Sequence, residues 1–138
     1  ASALDGVALA LPALMRAEKL QKRVARVGFD WHDTAPVIEK ISEELAEVEE
    51  AGSDSGNSNG GNNNENLSLE CGDLLFACVN LVRHMGIDAE NALRQANAKF
   101  EKRFRRLEVL VSGDNQKPEQ LSLADLELIW QRVKTEES

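Results

Sequence analysis

Aromatic residues and cysteines are scarce in this sequence. Its 138 residues include no Tyr, four Phe, two Trp and two Cys. The apolar residues are therefore mostly Leu, Val, Ile and Ala, which favours packed helices over a β-sandwich. Cys71 and Cys78 lie seven residues apart on a predicted helix, about 10 Å along its axis, which is too far for a disulfide. We expect both to be small core residues of a reducing, cytoplasmic protein.

Long apolar runs and an excess of basic residues are also missing. No stretch approaches the ~18 apolar residues of a membrane span, and we find no pattern of a secretion signal. The net charge of −8 argues against nucleic acid and anionic membranes as partners, and it suits a protein that concentrates cations. We therefore expect neither a nucleic-acid partner nor a membrane partner.

Apolar residues recur at helical spacing over most of the chain, and no segment alternates like a strand. The sequence predicts an all-α fold, a helical bundle of about five helices. We expect residues 1–8 to be a linker or arm and residues 9–138 to be a single domain. The predicted helices cover residues 11–27, 34–51, 67–84 and 89–111, the last of these capped by Asp88, with a short final helix capped by Ser122.

One segment breaks the helical pattern. Residues 53–66 read SDSGNSNGGNNNEN, in which Gly, Asn and Ser dominate and no apolar side chain is available to bury. This composition predicts a flexible Asn/Gly-rich loop between the second and third helices.

Four acidic residues lie on or beside the apolar stripes of the second and third predicted helices. On a helical wheel, Glu44 lies about 60° from Ile41, at the border of the stripe, and Glu47 follows on the same side. Glu70 lies within the stripe of the third helix, with Asp73 about 60° away. Because an unpaired buried carboxylate is costly, we expect a cation among them. The alternative is ordinary acidic residues that favour helix N-termini.

The four acids offer only oxygen ligands, which predicts Mg²⁺, with Mn²⁺ also possible. A zinc site would need His or Cys, and a di-iron bundle needs Glu-x-x-His pairs. Mg²⁺ is typically bound through a few carboxylates together with substrate phosphates. The predicted site therefore indicates a phosphorylated substrate.

A basic face on the fourth predicted helix has two interpretations. Lys99, Arg103 and Arg106 share it, since they recur at spacings of four and seven. They either neutralise phosphate oxygens or form a solvated face paired with Glu101 and Glu108.

Two polar or aromatic side chains nearby also have two interpretations each. Asn97, on the apolar side of the fourth helix, either satisfies its hydrogen bonds in the core or orients a group at the site. Trp130 on the last helix packs in the core, or it stacks on a base.

Together these residues resemble the MazG family of nucleoside triphosphate pyrophosphohydrolases, in the all-α NTP pyrophosphatase superfamily. The family signature, Glu-Glu-x-x-Glu followed by Glu-x-x-Asp, appears here as EELAE (Glu43–Glu47) and ECGD (Glu70–Asp73). The segments Leu11–Trp31, GDLLFACVNLVRH, ANAKFEKRF and IWQRVK are similar as well. The resemblance extends from Leu11 over nearly the whole chain, and it is strongest to the C-terminal domain of two-domain MazG proteins.

The resemblance implies an enzyme, a Mg²⁺-dependent hydrolase that cleaves nucleoside triphosphates to the monophosphate and pyrophosphate and forms homodimers. It implies a catalytic role for Glu44, and Glu43 is our choice for orienting or deprotonating the attacking water. The implied metal ligands are Glu44, Glu47, Glu70 and Asp73. The substrate-binding candidates are Lys40, Asn97, Lys99, Arg103 and Trp130.

The sequence departs from the family pattern at one place that bears on substrate choice. A basic residue often precedes the second half of the signature, but Asn66–Leu69 stand there in this chain. One alternative function is a pyrophosphohydrolase of the same fold with a narrower substrate, such as a deoxynucleotide or phosphoribosyl-ATP. Another is a non-catalytic regulatory or interaction domain.

Overall fold

The computed structural model describes the backbone of residues 1–55 and 62–137 and the side chains of residues 1–53 and 64–137. Within these ranges there are five α-helices, a short 3-10 turn and no strand, which confirms the all-α prediction. The helices are α1 (Ala13–Arg26), α2 (Thr34–Ser55), α3 (Asn62–His84), α4 (Ala89–Ser112) and α5 (Leu123–Glu136), with the turn at Pro118–Gln120.

The chain divides into two compact units, Ala1–Asn91 and Ala92–Ser138. The single domain over residues 9–138 and the linker over residues 1–8 stay predictions. Across the described part of the chain, no helix combines the length and the apolar character needed to cross a membrane.

In the first unit, α2 packs along α3, and α1 packs against α3. A side-chain hydrogen bond joins α1 to α3, because Gln21 Nε2 donates to the backbone oxygen of Phe76 at 3.0 Å. Gln21 is buried, as are Val37 and Ala77, which come from the apolar stripes of α2 and α3. These contacts hold α1 and α2 against α3.

Helix α1 begins and ends at residues suited to those positions. Pro12 is the N-cap, so the helix begins two residues later than predicted. At the other end, Gly28 adopts a φ of 93°, and its N–H donates to the oxygen of Ala25. The N–H of Phe29 donates to the oxygen of Val24 at 3.0 Å, which completes a Schellman motif. This motif sets the direction in which the chain leaves α1.

The predicted loop over residues 53–66 is too long. Residues 53–55 continue α2, and residues 62–66 open α3, so both flanks of the Asn/Gly-rich segment are helical. Residues 56–61 lie outside the described part of the chain. Extending an existing helix by a few residues costs little compared with nucleating one, so packed helices run past their apolar stripes.

The core of the second unit is formed by α4 and α5. Leu107, Val111 and Val133 are almost fully buried, and partly buried side chains surround them: Leu110, Leu121, Leu126, Ile129 and Trp130. Both predicted caps are confirmed. Asp88 accepts a hydrogen bond from the N–H of Asn91, and Ser122 accepts one from the N–H of Asp125, each at 3.1 Å.

Candidate metal centre and adjoining cavity

Three of the four predicted metal ligands come together between α2 and α3. Glu44 and Glu47 lie one turn apart on α2, and Glu70 faces them from α3. Each offers a carboxylate oxygen, and these oxygens all lie within 4.8 Å of one another. We call Glu44, Glu47 and Glu70 the carboxylate cluster.

The charges around the carboxylate cluster are unevenly balanced. Lys40 Nζ lies 2.9 Å from Glu44 Oε1, and this hydrogen bond lowers the pKa of Glu44 and raises that of Lys40. Close contact with Glu44, and then with Glu70, raises the pKa of Glu47 above its ordinary value. One ammonium group therefore faces three carboxylates that repel one another.

The residues of the carboxylate cluster fit a divalent cation. Glu44 is only 5% exposed. One oxygen of Glu44 and one of Glu70, the Oε2 atom in each case, are buried without a hydrogen-bond partner. Exposed acids on helices commonly need no counter-ion, but buried carboxylate oxygens do. A set of oxygen donors with excess negative charge suits Mg²⁺ or Mn²⁺.

The other two acids of the signature lie differently. Asp73 is exposed, so the expectation that it leans into the apolar seam is wrong, and it is not a member of the carboxylate cluster. It lies on the wall of a cavity that Glu44 and Lys40 also line. Glu43 is exposed and stands 3.8 Å from Lys40 Nζ. Lys40 thus lies between the two neighbouring glutamates of α2.

The cavity in the first unit has a volume of about 740 Å³. Its apolar walls come from the segments before and after α1, from α1 and from α3: Leu4, Leu20, Val24, Phe29, Trp31, Phe76 and Ala77. Its polar lining adds Gln21, Asp30, Asn80 and Arg83 to Lys40, Glu44 and Asp73. A mostly apolar cavity with a few polar groups is typical of a small-molecule site.

Most of the cavity residues were not singled out as candidates in the sequence. The available signal was the segment GFDW, in which two aromatic residues follow the glycine that ends α1. Phe29 and Trp31 are exposed despite their size, which is unusual for large apolar side chains without a partner.

The remaining substrate-binding candidates lie in the second unit. Asn97 and Lys99 are exposed on α4. Arg103 pairs with Glu137 at 2.8 Å. Trp130 packs in the core, with its ring 5.4 Å from that of Phe100.

The basic residues of α4 have other partners than Glu101 and Glu108, with which the solvated interpretation pairs them. Arg106 pairs with Glu136 at 3.1 Å, and Glu101 pairs with Arg105 instead. The carboxylates that neutralise Arg103 and Arg106 come from the last residues of the chain rather than from α4 itself.

Comparison with known proteins places the chain among pyrophosphohydrolases. Residues 14–100 match the family model described as phosphoribosyl-ATP pyrophosphohydrolase. The chain is 46% identical over 140 residues to the nucleoside triphosphate pyrophosphohydrolase of Escherichia coli (strain K12), an alignment covering 99% of this chain and 50% of that protein.

Two further relatives come from other bacteria. The nucleoside triphosphate pyrophosphohydrolase/pyrophosphatase MazG of Thermotoga maritima is 40% identical over 124 residues, covering 90% of this chain and 45% of that protein. A Bacillus subtilis protein named uncharacterized protein YabN is 39% identical over 136 residues, an alignment that covers 99% of this chain and 27% of that protein. The chain spans about half the length of the first two relatives and about a quarter of the third.

Proposed function

The chain belongs to the phosphoribosyl-ATP pyrophosphohydrolase family, and on this basis we propose that it hydrolyses nucleoside triphosphates to the monophosphate and pyrophosphate. The predicted similarity to MazG-like pyrophosphohydrolases is confirmed by the E. coli and T. maritima relatives. Their names supply the substrate class of the proposal. The structural observation that carries it is the carboxylate cluster, three acids with oxygens within 4.8 Å, beside a cavity that Glu44 also lines.

In this proposal Glu44, Glu47, Glu70 and Asp73 hold Mg²⁺, or Mn²⁺ in its place. When bound, the metal would neutralise phosphate oxygens and acidify a bound water. The buried unpaired oxygens of Glu44 and Glu70 support this assignment. Asp73 lines the cavity that Glu44 also lines, so it remains the fourth proposed ligand.

The protein's own groups would bind the polyphosphate and activate water. Lys40 lines the cavity while it holds Glu44, so its remaining N–H donors are available to phosphate oxygens. Glu43 stays our candidate for orienting or deprotonating the attacking water. Its exposed carboxylate stands 3.8 Å from Lys40 Nζ.

The apolar part of the cavity is the proposed nucleoside end. Phe29, Trp31 and Phe76 offer ring faces or edges to a base, and Gln21 and Asn80 offer amide groups. Asn97, Lys99, Arg103 and Trp130 in the second unit stay predicted substrate contacts. For Arg103, binding a phosphate would mean exchanging the carboxylate of Glu137 for a phosphate oxygen.

We also propose that the chain forms a homodimer and acts in the cytoplasm. Large apolar side chains are exposed on the packed pair α2 and α3, including Ile38, Leu45, Leu69 and Leu75. Ile38 and Leu45 are seven residues apart and share one face of α2, which a second copy would cover. Both cysteines are free, which supports a reducing compartment.

The chain is further proposed to correspond to the C-terminal domain of a two-domain MazG protein. The support for this proposal is that it spans about half of the E. coli and T. maritima relatives. The narrower substrate is a second candidate function, since the family model bears the description phosphoribosyl-ATP pyrophosphohydrolase.

The test is a product analysis by phosphorus NMR, with the common nucleoside and deoxynucleoside triphosphates and phosphoribosyl-ATP as substrates. We expect monophosphate and pyrophosphate from the triphosphates with Mg²⁺, and no turnover with a chelator. Release of inorganic phosphate and a diphosphate would contradict the proposed cleavage. Turnover of phosphoribosyl-ATP alone would select the second candidate. Binding of Mg²⁺ and nucleotide without any turnover would indicate a non-catalytic domain.

A further inference from the structure

A network of three charged or polar side chains joins the segment between α1 and α2 to the C-terminal end of α3. Arg83 donates two parallel hydrogen bonds to Asp30, from Nη2 to Oδ1 at 2.8 Å and from Nη1 to Oδ2 at 3.2 Å. His84 Nε2 lies 2.9 Å from the same Oδ1 atom. We call Asp30, Arg83 and His84 the Asp30 latch.

The Asp30 latch is stronger than a typical surface ion pair. A lone exposed pair contributes little to stability. Here the contact is bidentate, which fixes its geometry as well as its charge. The side chains of Arg83 and His84 are only 13% and 9% exposed. The hydrogen bond from Arg83 lowers the pKa of Asp30 to about 2, so the carboxylate is ionised at any working pH.

The Asp30 latch holds the aromatic wall of the cavity. Asp30 Oδ1 also accepts a hydrogen bond from the backbone N–H of Trp31 at 2.9 Å. Phe29, on the other side of Asp30, is tied through its N–H to the end of α1. Both rings line the cavity, yet their residues are 76% and 44% exposed. Because packing within the chain leaves so much of both residues exposed, the hydrogen bonds of the Asp30 latch add contacts that hold this segment in place.

Arg83 also orients a polar group inside the cavity. Its Nε and Nη2 atoms donate to Asn80 Oδ1 at 3.1 and 2.7 Å. The oxygen of this amide is therefore engaged, and an amide has only one other polar group. Because Asn80 lines the cavity, its NH₂ group is what it offers to a ligand there.

We propose that Arg83 is a positioning residue for nucleoside recognition. Through Asp30 it holds Phe29 and Trp31 as one wall of the cavity, and through Asn80 it presents a hydrogen-bond donor. The ligand group that fits this donor is an acceptor on the base, a carbonyl oxygen or an unprotonated ring nitrogen. This inference rests on the proposed function, and it goes further by assigning the recognition of the nucleoside to groups outside the acidic signature.

The kinetic test compares Arg83→Lys, which keeps the charge but loses the fork, with Asp30→Asn. In both we expect KM for a nucleoside triphosphate to rise about tenfold while kcat stays within about twofold, since uniform binding is lost. Inhibition by inorganic pyrophosphate, which has no nucleoside, should be unchanged. Arg26→Lys is the matched control, because Arg26 is exposed at the end of α1 and outside the latch. A tenfold fall in kcat with KM unchanged in these two variants would overturn the proposal.

A second readout does not depend on turnover. Trp31 is the only tryptophan left in a Trp130→Phe background. Asp30→Asn should then increase the acrylamide quenching constant of Trp31 by roughly half, because the segment is released. Unchanged quenching in a variant that folds, as judged by circular dichroism, would overturn the latch. If the wild-type chain shows no turnover but the quenching responds, the proposed function fails and the latch stands.

Discussion

At the scale of single residues, the carboxylate cluster brings together like charges that lower the stability of the protein unless a cation binds, as we propose. Lys40 neutralises Glu44, whereas Glu47 interacts most strongly with the carboxylates of Glu44 and Glu70, and its pKa is raised for that reason. Repulsion of this kind lowers the stability of the metal-free protein, and a divalent cation removes it. In the proposed function, this lower stability of the metal-free protein is the physical counterpart of Mg²⁺ binding by the cluster.

Glu47→Gln should therefore stabilise the metal-free protein and weaken Mg²⁺ binding. An acid with a raised folded pKa opposes folding above that pKa, and the effect is absent below the unfolded value of 4.5. The gain in melting temperature should be full at neutral pH with a chelator, and it should shrink as the pH falls toward 4.5. Melting curves of the wild type, Glu47→Gln and the control Glu39→Gln, recorded from pH 7.5 to 4.5, test this. A loss of stability at neutral pH in Glu47→Gln would contradict it.

Part of the site was predictable from the sequence and part was not. The wheel places Glu44 at the edge of an apolar stripe, and the buried side chain confirms that position. Asp73 has the same spacing from its stripe but is exposed, and the local pattern does not encode the cavity that Asp73 and Glu44 both line. The Asp30 latch joins residues 53 positions apart in the chain, and helical periodicity carries no information about contacts of that range.

At the scale of elements, helix ends with a clear chemical signal were predicted well. Asp88 and Ser122 cap α4 and α5, and Gly28 ends α1 with a positive φ. The ends of α2 and α3 inside the Asn/Gly-rich segment were predicted too short. Asn, Ser and Gly have weak helix propensity, so the composition of this segment predicts a loop. The helices nevertheless continue into it, because extending an existing helix costs little.

Gly28→Ala tests the role of the Schellman motif. Because Gly28 has a φ of 93°, a Cβ there should lower the free energy of unfolding by about 1 kcal/mol. Gly52→Ala is the matched comparison, since Gly52 lies inside α2 with nothing within 4 Å of an added Cβ. That substitution should raise the free energy by up to about 1 kcal/mol. Urea denaturation measures both, and effects of the same sign would contradict this account of the turn.

At the scale of the whole molecule, the chain consists of two compact units and spans about half of its first relatives. The acidic signature and the cavity lie in the first unit, whereas the basic face of α4 lies in the second. The described surface of the first unit leaves Ile38 and Leu45 exposed on one side of α2. In the proposed homodimer, a second copy covers this face.

Sedimentation velocity tests the proposed dimer. The wild-type chain should sediment as a dimer at micromolar concentration, and Leu45→Glu should shift it to the monomer, because a charge would be buried at the interface. Glu50→Gln is the control that should leave the dimer intact, because Glu50 is exposed and lies about 140° around α2 from Leu45. A monomeric wild type would show that this apolar face serves something other than self-association.

The central claim is that the carboxylate cluster holds the Mg²⁺ of a pyrophosphohydrolase. Its most direct test is the rate of pyrophosphate release from a nucleoside triphosphate as a function of Mg²⁺ concentration, in the wild type, Glu44→Gln and Glu39→Gln. In the wild type and in Glu39→Gln we expect a rate that saturates with Mg²⁺ concentration and no release with a chelator. In Glu44→Gln we expect the rate to fall by at least about a hundredfold. Undiminished release from Glu44→Gln, or release that needs no divalent cation, would contradict the claim.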